Sequence, residues 1–359
     1  MLVLPHRPGP MVLGVAIALR CEQDPHTSSN RDAILIRTPF TELLGIDHPV
    51  VSAGMGGGHT GSDLVGHVSR AGGLGVIGAS FVPPGEVAAM VERVREITDS
   101  PIGINLLLHA TEDRVDEVLD YEPAVFSTAW PRDDQDLSAI FASAHERSAK
   151  VMHMAHTLPD AERAAEAGAD VIVAQGTEGG GHVGLMGAFV IVRQVSRAVA
   201  PLPVLAAGGV ADGAGLAAAL ALGAGGVLLG TRFLATDESP LEPNLKDAIV
   251  RSDGHDTVIT TVGEALSGRD WPGAYARVAR TRFIEHWLGR EPELRKHRDE
   301  AWATLEHADE SGDVDNMLMW FGQSAGLVES VLPAEDVVQQ IVCEAEDILR
   351  AKLPALIAP

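Results

Sequence analysis

A chain of 359 residues with 46% hydrophobic, 4% aromatic and 38 glycine residues is long enough for a sizeable core, and it resembles neither a disordered nor a membrane protein. Its 27 basic and 50 acidic residues leave a formal net charge of −23, which repels a nucleic-acid backbone. That balance does not exclude a small anionic cofactor, because backbone N–H groups attract phosphate locally.

Residues 1–35 read as an N-terminal extension, expected to be poorly ordered, before a domain that begins near Ile36. Within it, Met11-Val-Leu-Gly-Val-Ala-Ile-Ala-Leu19 resembles a weak secretory core, but no small-residue cleavage site follows. The two cysteines, Cys21 and Cys343, lie far apart without a metal-binding pattern, so a reduced, cytoplasmic protein is expected.

From His48 onward, short apolar runs alternate with helical stretches. The runs are His48 to Ala53, Gly75 to Ala79, Ile102 to Leu108, Ala124 to Thr128, Lys150 to Met154, Asp170 to Ala174, Pro203 to Ala207 and Gly226 to Leu229. They do not alternate with polar residues, as expected of parallel strands covered on both faces. Pro84 to Thr98, Leu158 to Ala167 and Ala211 to Leu222 read as intervening helices, the last two ending at Gly168 and Gly223. Eight βα units predict an α/β fold, a closed (β/α)8 TIM barrel, in preference to an open doubly wound sheet.

After Thr236 the sequence turns polar and helical, with Trp271, Trp287, Trp302 and Trp320 expected mainly as packing anchors. Residues 240–330 are expected to form a helical insertion or lid, and 36–239 with 331–359 the barrel, closed by a helix from Pro333 to about Leu353.

Two segments have the form of a phosphate cradle at the ends of strands seven and eight. Ala206-Ala-Gly-Gly-Val-Ala-Asp-Gly213 would bring Gly208 and Gly209 towards Gly230 and Thr231 of Leu228-Leu-Gly-Thr-Arg-Phe233. Glycine after a strand also serves simple turns, so the pairing of the two segments carries the weight. Gly54-Met-Gly-Gly-Gly58 lacks the spacing and the acidic partner of a dinucleotide fingerprint.

Strand six runs into Gln175-Gly-Thr-Glu-Gly-Gly-Gly-His182, where glycines bare the backbone around one imidazole on the catalytic face of the barrel. His182 is therefore the candidate catalytic residue, able to take a proton from a weakly acidic carbon, return one to a product or bind an anion. His59, His67, His153 and His156 also lie near strand ends, but no suitably spaced carboxylate completes a metal site. Asp63 and Glu178 read as a helix-start charge and a loop carboxylate.

Together with Thr38-Pro-Phe-Thr-Glu-Leu-Leu-Gly-Ile-Asp-His-Pro49, Ala71-Gly-Gly-Leu-Gly-Val-Ile-Gly78 and Gly103-Ile-Asn-Leu106, these motifs resemble the nitronate monooxygenase family, the former 2-nitropropane dioxygenases. The likeness covers about residues 38–236 and returns at Phe321-Gly-Gln-Ser-Ala-Gly-Leu327, similar to that family's loop near the flavin. The resemblance implies an FMN cofactor: Gly54, Met55 and Gly56 at the isoalloxazine, Asn105 and Gln175 hydrogen-bonded to it, Gly180 packed beside it, and its phosphate on Gly208, Gly209, Gly230 and Thr231. It also implies His182 as catalyst and oxidation of alkyl nitronates by O2 to carbonyl compounds and nitrite. Ser52-Ala-Gly-Met55 departs from relatives that carry proline before the methionine, and Thr177 and Gly179 depart in the histidine loop. The alternative keeps the cofactor and makes the chain an NAD(P)H-dependent reductase of quinones or enoyl-acyl carrier protein thioesters, since shared flavin motifs do not name the oxidant. A noncatalytic binding protein on the same barrel leaves the cradle and histidine unexplained, and homo-oligomerisation is left open.

Overall fold

The computed structural model describes residues 36–357 except 270, 272 and 274, so the expectations for 1–35 and Cys21 lie outside the described residues. Six strands come first in the chain: β1 (Val50–Ser52), β2 (Gly75–Gly78), β3 (Ile102–Leu107), β4 (Val125–Ala129), β5 (Lys150–Ala155) and β6 (Val171–Gln175). They are followed by β7 (Gly181–Val183), β8 (Val204–Ala207), β9 (Gly226–Leu229), β10 (Thr257–Thr260) and β11 (Tyr275–Ala279). All except β7, β10 and β11 form one parallel sheet in the order β1-β9-β8-β6-β5-β4-β3-β2. The ring closes where the amide of Ser52 donates to Leu74 O and that of Leu74 to Val50 O, each at 3.0 Å. The expected barrel is the observed one.

Strand side chains alternate between two apolar compartments, as the period of two requires. Val51, Val76, Val125, Met152, Val171, Val173, Leu205 and Leu228 fill the barrel interior with Phe40 and Ile46, which come from the segment before β1. Val50, Ile77, Ile104, Phe126, Val151, Ile172 and Val227 face outward into the larger layer beneath the helices. Continuous burial of both layers is why the strands read as unbroken apolar runs. The same alternation fixes the interior positions at the strand ends: Asn105 follows the register of Gly103, and Gln175 that of Val173. His153 lies on β5 and His156 just beyond its end. Among the described residues no group of three or more His, Cys, Asp or Glu is arranged to hold a metal.

The closing helix, Ala334–Asp347, continues through a wider turn at Ile348–Lys352 and packs against helices Ser62–Arg70 and Gly213–Ala221. The packing is close: a Cβ on Gly213 would lie 2.5 Å from the Ala345 nitrogen, and the Gly213 amide donates to Glu344 Oε2 at 2.8 Å. Among the described residues no helix is long and apolar enough to cross a membrane.

The segment expected to be helical contains helices Pro243–Arg251, Val262–Ser267, Arg282–Trp287, Glu291–Leu294 and Arg298–Ser311, but it also carries the antiparallel pair β10–β11. Those strands were not anticipated. β11 pairs in turn with β7, placing Ala276 opposite His182 and Arg277 opposite Gly181. The insertion has its own core of Val262, Ala265, Leu266, Val278, Phe283, Ile284 and Trp287. Trp287 is thus an anchor as expected, whereas Trp302 is 45% exposed.

Candidate active site

The C-terminal ends of the barrel strands converge on one mouth, where side chains from non-adjacent repeats meet. Asn105 is buried and its Nδ2 donates to Ser127 Oγ of β4 at 3.0 Å. Gln175, also buried, has an Oε1 without a hydrogen-bond partner among the described residues, an arrangement that calls for a donor from a ligand or from water. Gly54 lies against Asn105, since a Cβ there would come within 2.5 Å of the Asn105 Cβ. The next amide, of Met55, donates to Thr60 Oγ1 at 2.8 Å, while a Cβ on Gly56 would sit 3.1 Å from Ser80 O.

The two glycine segments expected to form the cradle have the backbone for it. Gly208 and Gly209 take φ of 83° and 77°, left-handed values that cost a side-chain-bearing residue about 1 kcal/mol or more. A Cβ on Gly208 would lie 2.7 Å from Gly176 O, and one on Gly209 would lie 3.4 Å from Glu178 Cβ, so this turn packs on the histidine loop. Gly230 faces Met55, whose Sδ is 3.5 Å from a Cβ built there. Thr231 Oγ1 accepts from the Gly322 amide at 2.9 Å, and the Gln323 amide donates to Glu178 O at 2.9 Å. Gly180 closes the circle, because its Cβ would lie 2.5 Å from the Phe321 carbonyl carbon. The loop at 321–323 therefore braces both the histidine segment and the end of β9.

His182 stands at the centre of the polar groups. Its Nε2 lies 2.7 Å from Glu264 Oε1, with side chains 21% and 7% exposed. Trp271 covers the imidazole at a centroid separation of 4.2 Å and 34°, and Trp320 lies at 5.7 Å and 30°. Glu264 belongs to helix Val262–Ser267, in which Val262, Gly263, Glu264, Ala265 and Leu266 are all buried. Glu264 Oε2 has no hydrogen-bond partner. Arg277 ties the arrangement together: its Nε donates to Thr177 O at 2.8 Å and its Nη1 to Thr257 Oγ1 at 3.0 Å. Burial pushes this guanidinium below its usual range, against the opposing charge of Glu178.

His156 is stacked on Trp130 at 3.7 Å and 21°, and the same indole meets the His182 ring edge-on at 6.2 Å. Burial first, then the charges of His153 and His182, hold the His156 imidazole down to about 3, although the nearby Gln175 carboxamide works the other way. It is therefore a neutral ring at the base of the mouth. Trp130 itself adopts a φ of 53°, a strained backbone for a bulky residue, at the end of β4.

The other titratable candidates have structural partners. Both carboxylate oxygens of Glu178 accept from the Ala188 amide, at 3.0 and 2.9 Å, capping helix Ala188–Ala198. Asp63 pairs with Arg93 at 3.0 Å and His67 with Glu335 at 3.1 Å, outside the mouth. His59 is held below its usual range by burial.

Sequence reasoning missed Glu264, Trp130 and Arg277, and it took Trp271 and Trp320 for packing anchors. The aromatic residues carried a signal only in their number. Glu264 carried none beyond being an acidic residue in an apolar hexamer, Val262-Gly-Glu-Ala-Leu-Ser267.

The chain matches the family described as Nitronate monooxygenase over residues 37–113 and 110–344. It belongs to that family. It is an oxidoreductase on the same (β/α)8 scaffold as its relatives. A probable nitronate monooxygenase of Staphylococcus aureus is 30% identical over 360 residues, covering 87% of this chain and 98% of the relative. A Mycobacterium tuberculosis protein named (3aS,4S,5R,7aS)-5-hydroxy-7a-methyl-1-oxo-octahydro-1H-indene-4-carboxyl-CoA dehydrogenase is 38% identical over 254 residues, covering 70% of this chain and 68% of the relative. Among solved structures, FabK from Thermotoga maritima superposes with a TM-score of 0.79 at 35% identity, covering 89% of this chain and 99% of that one. Proteins similar to this chain thus carry names for different reactions.

Proposed function

We propose that this member of the nitronate monooxygenase family is an FMN-dependent enzyme that oxidises alkyl nitronates with O2 to carbonyl compounds and nitrite. The observation that carries the reading is His182 in β7, held between Glu264 and two indoles, at the end of the glycine loop on which the Gly208–Gly209 turn packs.

The residues present fit a flavin. Gly208 and Gly209 leave backbone amides uncovered by side chains, and Thr231 opens a short helix whose first amides have no intrahelical partner. Those residues with Gly230 would hold the phosphate. Gly54, Met55, Gly56 and Gly180 offer a thin, side-chain-poor wall for a flat ring, and Asn105 with the unpartnered Gln175 Oε1 offers edge contacts. When bound, the flavin supplies the electron acceptor for the nitronate and the electron donor for O2. The protein does the rest. His182 accepts the α-proton of a neutral nitroalkane or pairs with the nitronate anion, and Trp271 with Trp320 limits water around it.

Purified protein should be yellow, and it should consume O2 and release nitrite when given a nitronate. A flavin-loaded protein inert to several nitronates overturns the substrate assignment. A second reading, an NAD(P)H-dependent reductase of quinones or enoyl thioesters, gains support from the 38% identity with a protein named as a CoA-thioester dehydrogenase. Rapid anaerobic bleaching by NADH or NADPH would select it.

A further inference from the structure

We infer that Glu264, contributed by the insertion, is the positioning residue of the site, and that by accepting a hydrogen bond from Nε2 of His182 it makes Nδ1 the atom that exchanges a proton with the substrate. The inference rests on His182 as the catalytic residue and holds for either reaction above.

The first argument is cost. Glu264 lies in a run of five buried residues, Val262–Leu266, whose apolar members pack in the insertion's own core. A carboxylate there is unfavourable unless paired, and solubility does not explain it. Among the described residues its side chain has one hydrogen-bond partner, His182, 2.7 Å away and 82 residues earlier in the chain. Its other oxygen, Oε2, has none among them. A buried carboxylate whose hydrogen bond goes to the reactive imidazole is explained by what it does to that imidazole.

The second argument is how the contact is built. The β7–β11 pairing sets Ala276 opposite His182, and Ala276 is buried in the same core as Val262 and Ala265. Gly263 is pinned as well, since a Cβ on it would lie 2.6 Å from Trp320 Cη2. The helix that carries Glu264 and the strand that carries His182 are thereby locked to one body, and Trp320 is part of the lock. This supplies the rigid support that a productive geometry needs.

The third argument is hydrogen-bond chemistry. An ionised carboxylate has lone pairs only, so the nitrogen facing it must bear the proton. In neutral imidazole the other nitrogen, Nδ1, then carries the lone pair. Trp271 and Trp320 cover the ring at 4.2 and 5.7 Å, and Glu264 occupies its Nε2 edge, which leaves the Nδ1 side for chemistry. Among the described residues His156 also interacts with His182, and burial keeps it neutral. With a neutral nitroalkane the step balances simply. The substrate C–H bond breaks, its electron pair stays on the substrate as the nitronate, and the proton forms an N–H bond at Nδ1. The imidazolium so formed keeps its Nε2–H bond to Glu264. For a reductase the same atom returns the proton to the product.

The tautomer can be read without turnover. Flavin-loaded protein labelled with 15N-histidine, with His182 assigned by its loss in His182→Ala, should show a protonated Nε2 and a bare Nδ1 when the ring is neutral. A protonated Nδ1 with a bare Nε2 in the wild-type protein overturns the inference, whatever any variant does. Glu264→Gln should keep the tautomer through its amide oxygen but lower kcat at least about 10-fold with KM little changed, because the charge opposite the imidazolium is gone. Glu264→Leu should lose the tautomer preference and more of kcat. Equal kcat across wild type, Glu264→Gln and Glu264→Asp also overturns it. Should every nitronate fail while the predicted tautomer is seen, the substrate reading falls and the positioning role stands.

Discussion

Acidification should destabilise this protein before its carboxylates titrate, because two imidazoles are buried in their neutral form. His153 and His156 are 0% and 4% exposed, and both are pushed from the ordinary 6.5 to about 3. Burial is the leading cause for each, followed by the Arg163 charge for His153 and by His153 and His182 for His156. The native state therefore refuses protons that the unfolded chain accepts. Stability from these groups is complete above about pH 6.5, falls below it, and goes on falling towards about pH 3. About pH 5 lies about 1.5 units below the unfolded imidazole's ordinary 6.5, which at about 1.4 kcal/mol per unit costs the fold about 2 kcal/mol per histidine. The two together approach about 4 kcal/mol, a large share of a typical folding free energy of about 5–15 kcal/mol. Urea unfolding followed by fluorescence between about pH 7.5 and about pH 5 measures this, with His156→Phe as the matched variant. Phenylalanine keeps a flat ring against Trp130 and removes the titration, so it should roughly halve the slope. A wild-type loss under about 1 kcal/mol, or an unchanged slope in His156→Phe, would refute the claim that these rings are buried neutral.

Other substitutions test the rest of the mouth. Gly180→Ala drives a Cβ to 2.5 Å from the Phe321 carbonyl carbon and 2.7 Å from the Gly322 nitrogen, both backbone atoms, so it should cost about 1–3 kcal/mol in thermal unfolding and loosen flavin retention. His182→Ala should lower kcat by about 100-fold or more while leaving the flavin spectrum in place, and loss of the flavin instead would make His182 a cofactor residue. Thr231→Val removes the acceptor of the buried Gly322 amide at 2.9 Å, so faster hydrogen exchange at Gly322 and a loss of about 1–3 kcal/mol are expected, with unchanged exchange arguing against that brace.

Most of the barrel was legible because its strands are covered on both sides. Ile102, Ile104 and Leu106 of β3 face the helices while Gly103 and Asn105 face inward, so the run reads as apolar throughout and Asn105 is displayed at its inner end. The same periodicity brings Gln175 into the mouth after Val171 and Val173. Local glycine chemistry made Gly208 and Gly209 visible, since both take φ values that glycine alone adopts cheaply. What stayed hidden is nonlocal. β7 is three residues inside a glycine run, and its strand character comes from β11, some of whose partners lie across the insertion. β10 and β11 alternate too briefly to announce strands amid helical sequence. Glu264 has meaning only through a contact across 82 residues, and Trp130 through a backbone angle that its sequence neighbours do not demand.

The candidate site divides between two parts of the chain. The barrel contributes the groups proposed to hold the flavin, glycine turns after β8 and β9 and inward polar groups after β3 and β6. The insertion contributes Glu264, Trp271, Trp320 and Arg277, which surround His182 or hold its loop. Since β7 is hydrogen-bonded to β11 and not to the barrel sheet, His182 is paired with the insertion, although it follows a barrel strand in sequence. A substitution in the core of Val262, Ala265 and Phe283 should therefore reach His182 through β11 and Glu264.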